Sequence, residues 1–132
     1  MRPLIDTNIL SELMRREPDP VVLSWADRHD GFVLSVIVLE ELVFGLTKKS
    51  LPLKRQWLDD FLEHQCLILP ITPAIARGSG TLPGQFSAQG VVRHPSDMLI
   101  AATALIHRLP LATRNTADFT DCGIDLINPF RP

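Results

Sequence analysis

Short unbroken apolar runs alternate along the chain with longer stretches of helical period. Pro3-Leu4-Ile5 is an apolar run that ends at Asp6, and it predicts a buried strand. Asn8 to Arg16 then reads as a helix, with Thr7 or Asn8 as its cap. Arg15 and Arg16 lie near its C-terminus, where cations suit the helix dipole. Pro20 to Arg28 predicts a second helix, with Val21, Val22 and Trp25 on one face. Phe32 to Ile37 is dense in Val, Leu and Ile and predicts a second buried strand. From Val38 the period changes. Val38, Leu39, Leu42, Val43 and Leu46 share one helical face, Glu40 and Glu41 begin the polar side, and Lys48-Lys49 close the helix.

Leu53 to His64 is another amphipathic helix, with Trp57, Leu58, Phe61 and Leu62 at helical spacing. Leu67 to Leu69 predicts a short strand before Pro70. A helix begins at Pro73 and reaches about Gly78, beyond which Gly80, Pro83 and Gly84 obscure its end. Ser96 is a suitable cap for a helix from Asp97 to His107 that is apolar nearly all round, as helices buried against a sheet are. Pro110 to Thr113 and Asp125 to Ile127 predict the last strands. Strands alternating with helices give an α/β class with a parallel sheet and helices on both faces.

At 132 residues, without a repeat or a linker-like tract, the chain predicts one domain over 1–132. With 45% apolar and 21% charged residues it has the balance of a globular protein, not a disordered one. The uncharged apolar run from Met98 to Ile106 is far shorter than the ~20 residues of a membrane helix. Asp6 interrupts any secretory apolar core, so no signal peptide is expected. Cys66 and Cys122 lack metal-ligand spacing and read as two thiols in a reducing cytoplasm. The four histidines form no zinc motif. Thirteen Lys+Arg against 15 Asp+Glu give a net charge of −2, which is not the footprint of a nonspecific nucleic-acid binder. The basic residues are uneven, however. Ten are Arg, and the three lysines, Lys48, Lys49 and Lys54, sit in one short segment that could form a local basic surface.

Open α/β sheets bind ligands at the carboxyl ends of their strands. Four acids fall where the predicted elements deliver them there: Asp6 after the first strand, Glu41 one turn into the helix after the second, Asp97 opening the buried helix, and Asp118 after Leu111–Thr113. Each taken singly has an ordinary reading. Asp6, Thr7 and Asn8 are all capping residues, Glu41 is a solvated helix position, and Ser96-Asp97 is a cap with a first-turn acid. Asn115 to Asp118 resembles a capping box with Asp in place of Glu. Four acids converging on one edge would repel each other unless a cation neutralised them, and oxygen ligands suit Mg²⁺ or Mn²⁺.

The segments Leu4–Glu12 (LIDTNILSE), Ser35–Gly45 (SVIVLEELVFG), Asp97–Ala104 (DMLIAATA) and Ala112–Phe119 (ATRNTADF) resemble the PIN domain. More narrowly they resemble VapC-type toxins of bacterial type II toxin–antitoxin systems, and the ending Asn128-Pro129-Phe130 is similar to the FitB-like subgroup. The resemblance runs through nearly the whole chain in order. It implies a three-layer α/β/α PIN-like fold and a Mg²⁺- or Mn²⁺-dependent endoribonuclease held inactive by a cognate antitoxin. Cleavage by a water activated at the metal would leave a 3′-hydroxyl and a 5′-phosphate.

By the resemblance, the metal-site and catalytic acids are Asp6, Glu41, Asp97 and Asp118, and the small polar residues beside them are Thr7, Asn8, Thr113 and Asn115. Arg114 is the candidate for holding an RNA phosphate, with a surface salt bridge as the other reading. Arg15, Arg16, Arg77 and Arg93 are candidates for the RNA path or the antitoxin, with a solvated face as the other reading, and His94, three residues before Asp97, reads as a simple surface histidine, with reach to the substrate as the other reading. The resemblance also implies a homodimer, for which Val38–Thr47 and Leu53–His64 are the candidate surfaces, with Phe44 and Trp57 in core or dimer packing. Two positions depart from the family pattern: Val38 stands where many relatives have Thr or Ser, and Asn115 where some have an acid. Asp121 and Asp125 are the weaker alternatives to Asp118.

Three other readings compete. A phosphoacceptor receiver domain needs a lysine near its C-terminal strands, and no lysine follows Lys54. A haloacid-dehalogenase-type phosphatase needs an acid two residues after Asp6, where Asn8 stands. A noncatalytic PIN-like module that only binds RNA or protein would tolerate loss of Asp97.

Overall fold

The computed structural model describes residues 2–88 and 93–132. Among them the chain runs β1 (Leu4–Ile5), α1 (Thr7–Leu13), α2 (Pro20–Asp27), β2 (Phe32–Ser35), α3 (Val36–Lys49), α4 (Pro52–Gln65), β3 (Cys66–Leu69), α5 (Pro73–Ala88), α6 (Pro95–His107), β4 (Leu111–Ala112) and β5 (Leu126–Ile127), with a 3-10 turn at Thr116–Phe119. The five strands form one sheet in the order β3-β2-β1-β4-β5, and each described pairing is parallel. Parallel neighbours need crossover connections, and the helices supply them. The predicted α/β class with helix-flanked parallel strands therefore stands.

The centre of the sheet is the driest part of the molecule. Leu4, Ile5, Leu34, Leu111 and Ala112 are all fully buried, and Phe32 and Phe119 nearly so. The outer strand β3 is different: Leu67 is 54% exposed and Ile68 36%, so this strand has an uncovered face.

Several boundaries differ from the sequence pattern, each for a local reason. Helix α1 is capped by Asp6, not by Thr7 or Asn8, because the Asp6 side chain accepts from the Thr7 N–H. It ends at Leu13, so Arg15 and Arg16 lie beyond it. Strand β2 stops at Ser35, two residues short of Ile37, because the Ser35 hydroxyl caps α3 by accepting from the Ile37 N–H. Helix α6 starts at Pro95 with His94 in the capping position, so Ser96 is inside the helix rather than its cap.

The largest difference is α5, which runs from Pro73 to Ala88 through Gly78, Gly80, Pro83 and Gly84. Ile75, Ser79 and Leu82 are buried at helical spacing, and a Cβ on Gly78 would touch the Ala102 Cβ of α6 at 3.4 Å. Packing on α6 holds as helix a stretch whose propensity is poor.

Candidate active site

The strand order reverses its direction of growth between β1 and β4, and such switch points open a crevice at the strand ends. Asp6 follows β1 and Thr113 follows β4 at this crevice. The Asp6 N–H donates to the Ala112 carbonyl (3.0 Å), so its backbone still belongs to the ladder while its side chain leaves the sheet. Only 7% of Asp6 is exposed. Its Oδ1 accepts from the Thr7 N–H (2.8 Å), and its Oδ2 accepts from the Thr113 hydroxyl (2.8 Å) and from Asn8 Nδ2 (3.3 Å). One carboxylate thus caps α1 and faces the crevice.

The small polar residues form the frame around it. Asn8 Oδ1 accepts from the Arg114 N–H (3.0 Å), tying α1 to the segment after β4. The Thr113 hydroxyl in turn accepts from the Asn115 N–H (3.1 Å). The Thr7 hydroxyl donates to Glu41 Oε1 (3.3 Å), linking α1 to α3. Thr7, Asn8 and Thr113 therefore hold the carboxylates by their side chains, and Asn115 contributes its backbone N–H.

Asp6, Glu41, Asp97 and Asp118 all line one cleft of about 460 Å³, together with Thr7, Asn8, Arg114 and Asn115. Glu40, the neighbour of Glu41 on α3, is exposed and lies outside it. Asp121 and Asp125 are outside it as well, so Asp118 is the acid that this segment contributes. Asn115 to Asp118 is not a capping box: Asn115 precedes the 3-10 turn Thr116–Phe119 without a side-chain cap bond, and the Asp118 N–H closes on the Asn115 carbonyl (3.0 Å).

Arg15, a candidate for the RNA path, lines the cleft, and so do Ser11 and Glu12, which the sequence did not single out. Their signal was helical spacing: Ser11 lies four residues after Thr7, and Glu12 four after Asn8. Glu12 is buried, accepts from the Asp19 N–H (2.9 Å) and pairs with Arg15 at 3.2 Å.

The other flagged residues have different surroundings. Arg93 donates to the carbonyls of Ala117 (3.0 Å) and Thr120 (3.1 Å), bracketing the turn that carries Asp118. Arg114 stacks over the Phe130 ring at 4.7 Å, at the edge of the cleft. Val38 is fully buried and does not border the cleft. Phe44 is 63% exposed and so is not a core residue, whereas Trp57 stacks on Phe61 at 5.0 Å. Arg16, Arg77 and His94 are exposed.

The electrostatics reflect crowding of like charge. Burial pushes the Asp6 carboxyl above its ordinary value, against the pull of its hydrogen bonds from Thr113, Thr7 and Asn8, and Asp118 adds to the rise. Glu41 is raised by burial and by the charges of Asp6 and Asp97. Asp97 is raised by burial, then by Asp6 and Asp118, with His94 and Arg93 opposing. Five acids thus meet two arginines around the cleft. Among the described residues no group of three or more His, Cys, Asp or Glu stands at a spacing that could hold a metal ion directly.

The chain is thus a parallel α/β sheet protein with a carboxylate-lined cleft at its switch point. The family model for the PIN domain matches residues 4–123, and the chain belongs to that family. It is 36% identical over 137 residues to the VapC ribonuclease Y4jK of Sinorhizobium fredii, with 98% of each chain covered. It is 31% identical over 135 residues to the toxin FitB of Neisseria gonorrhoeae, covering 96% of this chain and 97% of that one. The crystal structure of FitAcB from Neisseria gonorrhoeae superposes with a TM-score of 0.84 at 31% identity, over 98% of this chain and 99% of that one.

Proposed function

We propose that this chain is the toxin of a type II toxin–antitoxin pair and that it cleaves RNA as a Mg²⁺- or Mn²⁺-dependent endoribonuclease. The observation that carries the reading is the ring of Asp6, Glu41, Asp97 and Asp118 around one cleft, three of them with carboxyls pushed up by burial and by one another. Such a site favours a bound cation by relieving that repulsion. The donors are all oxygens, which suits Mg²⁺ or Mn²⁺. With no three of the described acids placed to hold an ion directly, an ion here would keep part of its water shell, as Mg²⁺ does when one or two carboxylates hold it. Asp6, Asp97, Asp118 and Glu41 are the residues that would hold it.

When bound, such an ion offsets phosphate charge and lowers the pKa of water. The chain's own groups do the rest. Thr113 and Asn8 fix the Asp6 carboxylate, and Thr7 fixes that of Glu41. Arg114, on the rim, is the donor for a neighbouring phosphate. The name of one relative, a VapC ribonuclease, supports RNA as substrate, and that of another, the toxin FitB, supports the toxin role. Solved FitAB and VapBC complexes among the similar folds support an antitoxin as partner. A homodimer through α3 and α4 would cover Phe44 and Leu53, which are 63% and 84% exposed. No helix among the described residues is long and apolar enough to cross a membrane, and the cytoplasm is the proposed site of action.

The test is incubation of partner-free protein with a mixed small-RNA pool in Mn²⁺, in Mg²⁺ and in EDTA. Discrete cuts with 5′-phosphate ends, abolished by EDTA and by added antitoxin, are expected. Cuts that persist in EDTA would contradict the metal assignment. No cuts under any condition, with RNA still bound, would favour the noncatalytic module.

A further inference from the structure

The cleft does not end at the carboxylates. A second cavity of about 350 Å³ opens beside it and shares Thr7, Ser11, Arg15 and Glu41 as a common wall. Its floor is aliphatic, built from Met14, Leu42, Leu46 and Leu51. Arg15, Lys49 and Lys54 line it, and Glu41 is the sole acid among its lining residues. A chain with a net charge of −2 and three lysines places two of them here.

Gly45 forms part of the wall, in the interior of α3. Glycine is unfavourable there relative to alanine. A Cβ at this position would meet nothing within 4 Å. No neighbour requires the glycine, and a side chain much larger than a methyl on this wall would take up space in the cavity.

We propose that this slot receives one nucleotide of single-stranded RNA, adjacent to the one whose phosphate enters the carboxylate cleft. The base lies on the aliphatic floor, and flanking phosphates meet Lys49 and Lys54. The inference rests on the nuclease reading of the cleft. Continuity favours RNA, because a strand threaded past Arg114, Asp6 and Glu41 reaches the slot without leaving the protein. Charge favours it too, since a cationic rim over an apolar floor matches a phosphodiester that carries an unstacked base. An aliphatic floor offers no hydrogen-bond readout, so the slot selects for an unpaired base and not for one sequence.

The test is binding of a short labelled single-stranded RNA of mixed sequence, followed by fluorescence polarisation. Asp97→Asn is the background, so that cleavage does not consume the probe. Adding Lys49→Gln with Lys54→Gln is expected to weaken binding roughly tenfold and to lower the log–log salt slope by about 1.4, the increment for two single-strand phosphate contacts. Gly45→Leu is expected to weaken binding with the slope unchanged, and Gly45→Ala to bind as its parent does. Thermal melts establish that each variant is folded, and the lysine pair remains readable if Gly45→Leu is not. Unchanged affinity and slope in the lysine pair overturn the slot. So does a lysine pair that binds RNA normally but no longer binds the antitoxin, which would make the cavity a protein-docking site. If wild type cuts RNA while the lysine pair binds normally, the slot alone fails. If wild type neither cuts nor binds RNA, the nuclease reading fails and takes the slot with it.

Discussion

Asp6 serves two purposes with one side chain, and its surroundings explain how both are kept. Oδ1 holds the first N–H of α1, while Oδ2 is anchored by Thr113 and Asn8. Hydrogen bonds to a charged group contribute about 1.5–3 kcal/mol. Thr113→Val is expected to cost stability in that range, measured by denaturant melts, and to raise the Asp6 carboxyl further. Asp97 allows a test of sign. Burial, Asp6 and Asp118 raise its carboxyl above the ordinary 3.8, so the folded state binds the proton more tightly than the unfolded one. Stability from this group is present below that value and is lost as pH rises through the raised one. In metal-free buffer Asp97→Asn is therefore expected to melt above wild type at neutral pH. That advantage should shrink on acidification and vanish below 3.8, where both states of wild type are protonated. A wild type that melts higher at neutral pH would show that the cleft does not crowd this charge. The four acids were legible as residues because Asp6 and Asp118 come after strands, Asp97 opens a helix, and Glu41 lies in the first half of the helix that follows a strand. Glu12 was not, because its burial depends on Asp19 and Arg15 closing over it.

At the scale of elements, α5 marks the limit of pattern reading. Its glycines and proline argue for a loop, but Ile75, Ser79 and Leu82 bury one face. Gly80 is exposed and a Cβ there would meet nothing within 4 Å, so Gly80→Ala is expected to stabilise by about 1 kcal/mol. Ile75→Ala, at a fully buried position, is expected to cost about 2–5 kcal/mol. Both are read from thermal or urea melts, and a neutral Ile75→Ala would mean that α5 does not depend on this contact. The 3-10 turn is a second case where long-range contact decides. Nothing near Asp118 in sequence shows that Arg93 holds the carbonyls of Ala117 and Thr120. If that clamp positions Asp118, Arg93→Gln is expected to lower RNA cleavage roughly ten- to a hundredfold, as loss of supporting partners at such sites does. The strands and the helices of clear period were readable because they bury contiguous apolar faces. The β2–α3 boundary was not, because Ser35 is a buried strand residue and a helix cap at once.

For the whole molecule, parallel topology turns separations of 35, 56 and 21 residues between the acids into one cleft. The order of the motifs made that convergence legible through family resemblance, since spacing alone cannot bring such distant residues together. The basic slot beside it was only half visible: the lysine cluster stood out, but not its alignment with Arg15 and the bare wall at Gly45. Because the clustered carboxylates repel, millimolar Mn²⁺ is expected to raise the melting temperature, and binding at a hundred times Kd would add about 2.7 kcal/mol. The most direct test of the central claim uses the two adjacent glutamates of α3. They differ by about 100° around the helix, and only Glu41 lines the cleft. Measured as Mn²⁺-dependent RNA cleavage by partner-free protein, Glu41→Gln is expected to lose roughly a hundredfold or more, as removal of a preorganised catalytic group does, while Glu40→Gln cleaves as wild type does. Equal activity in the two variants would contradict a carboxylate-built nuclease centre at this cleft.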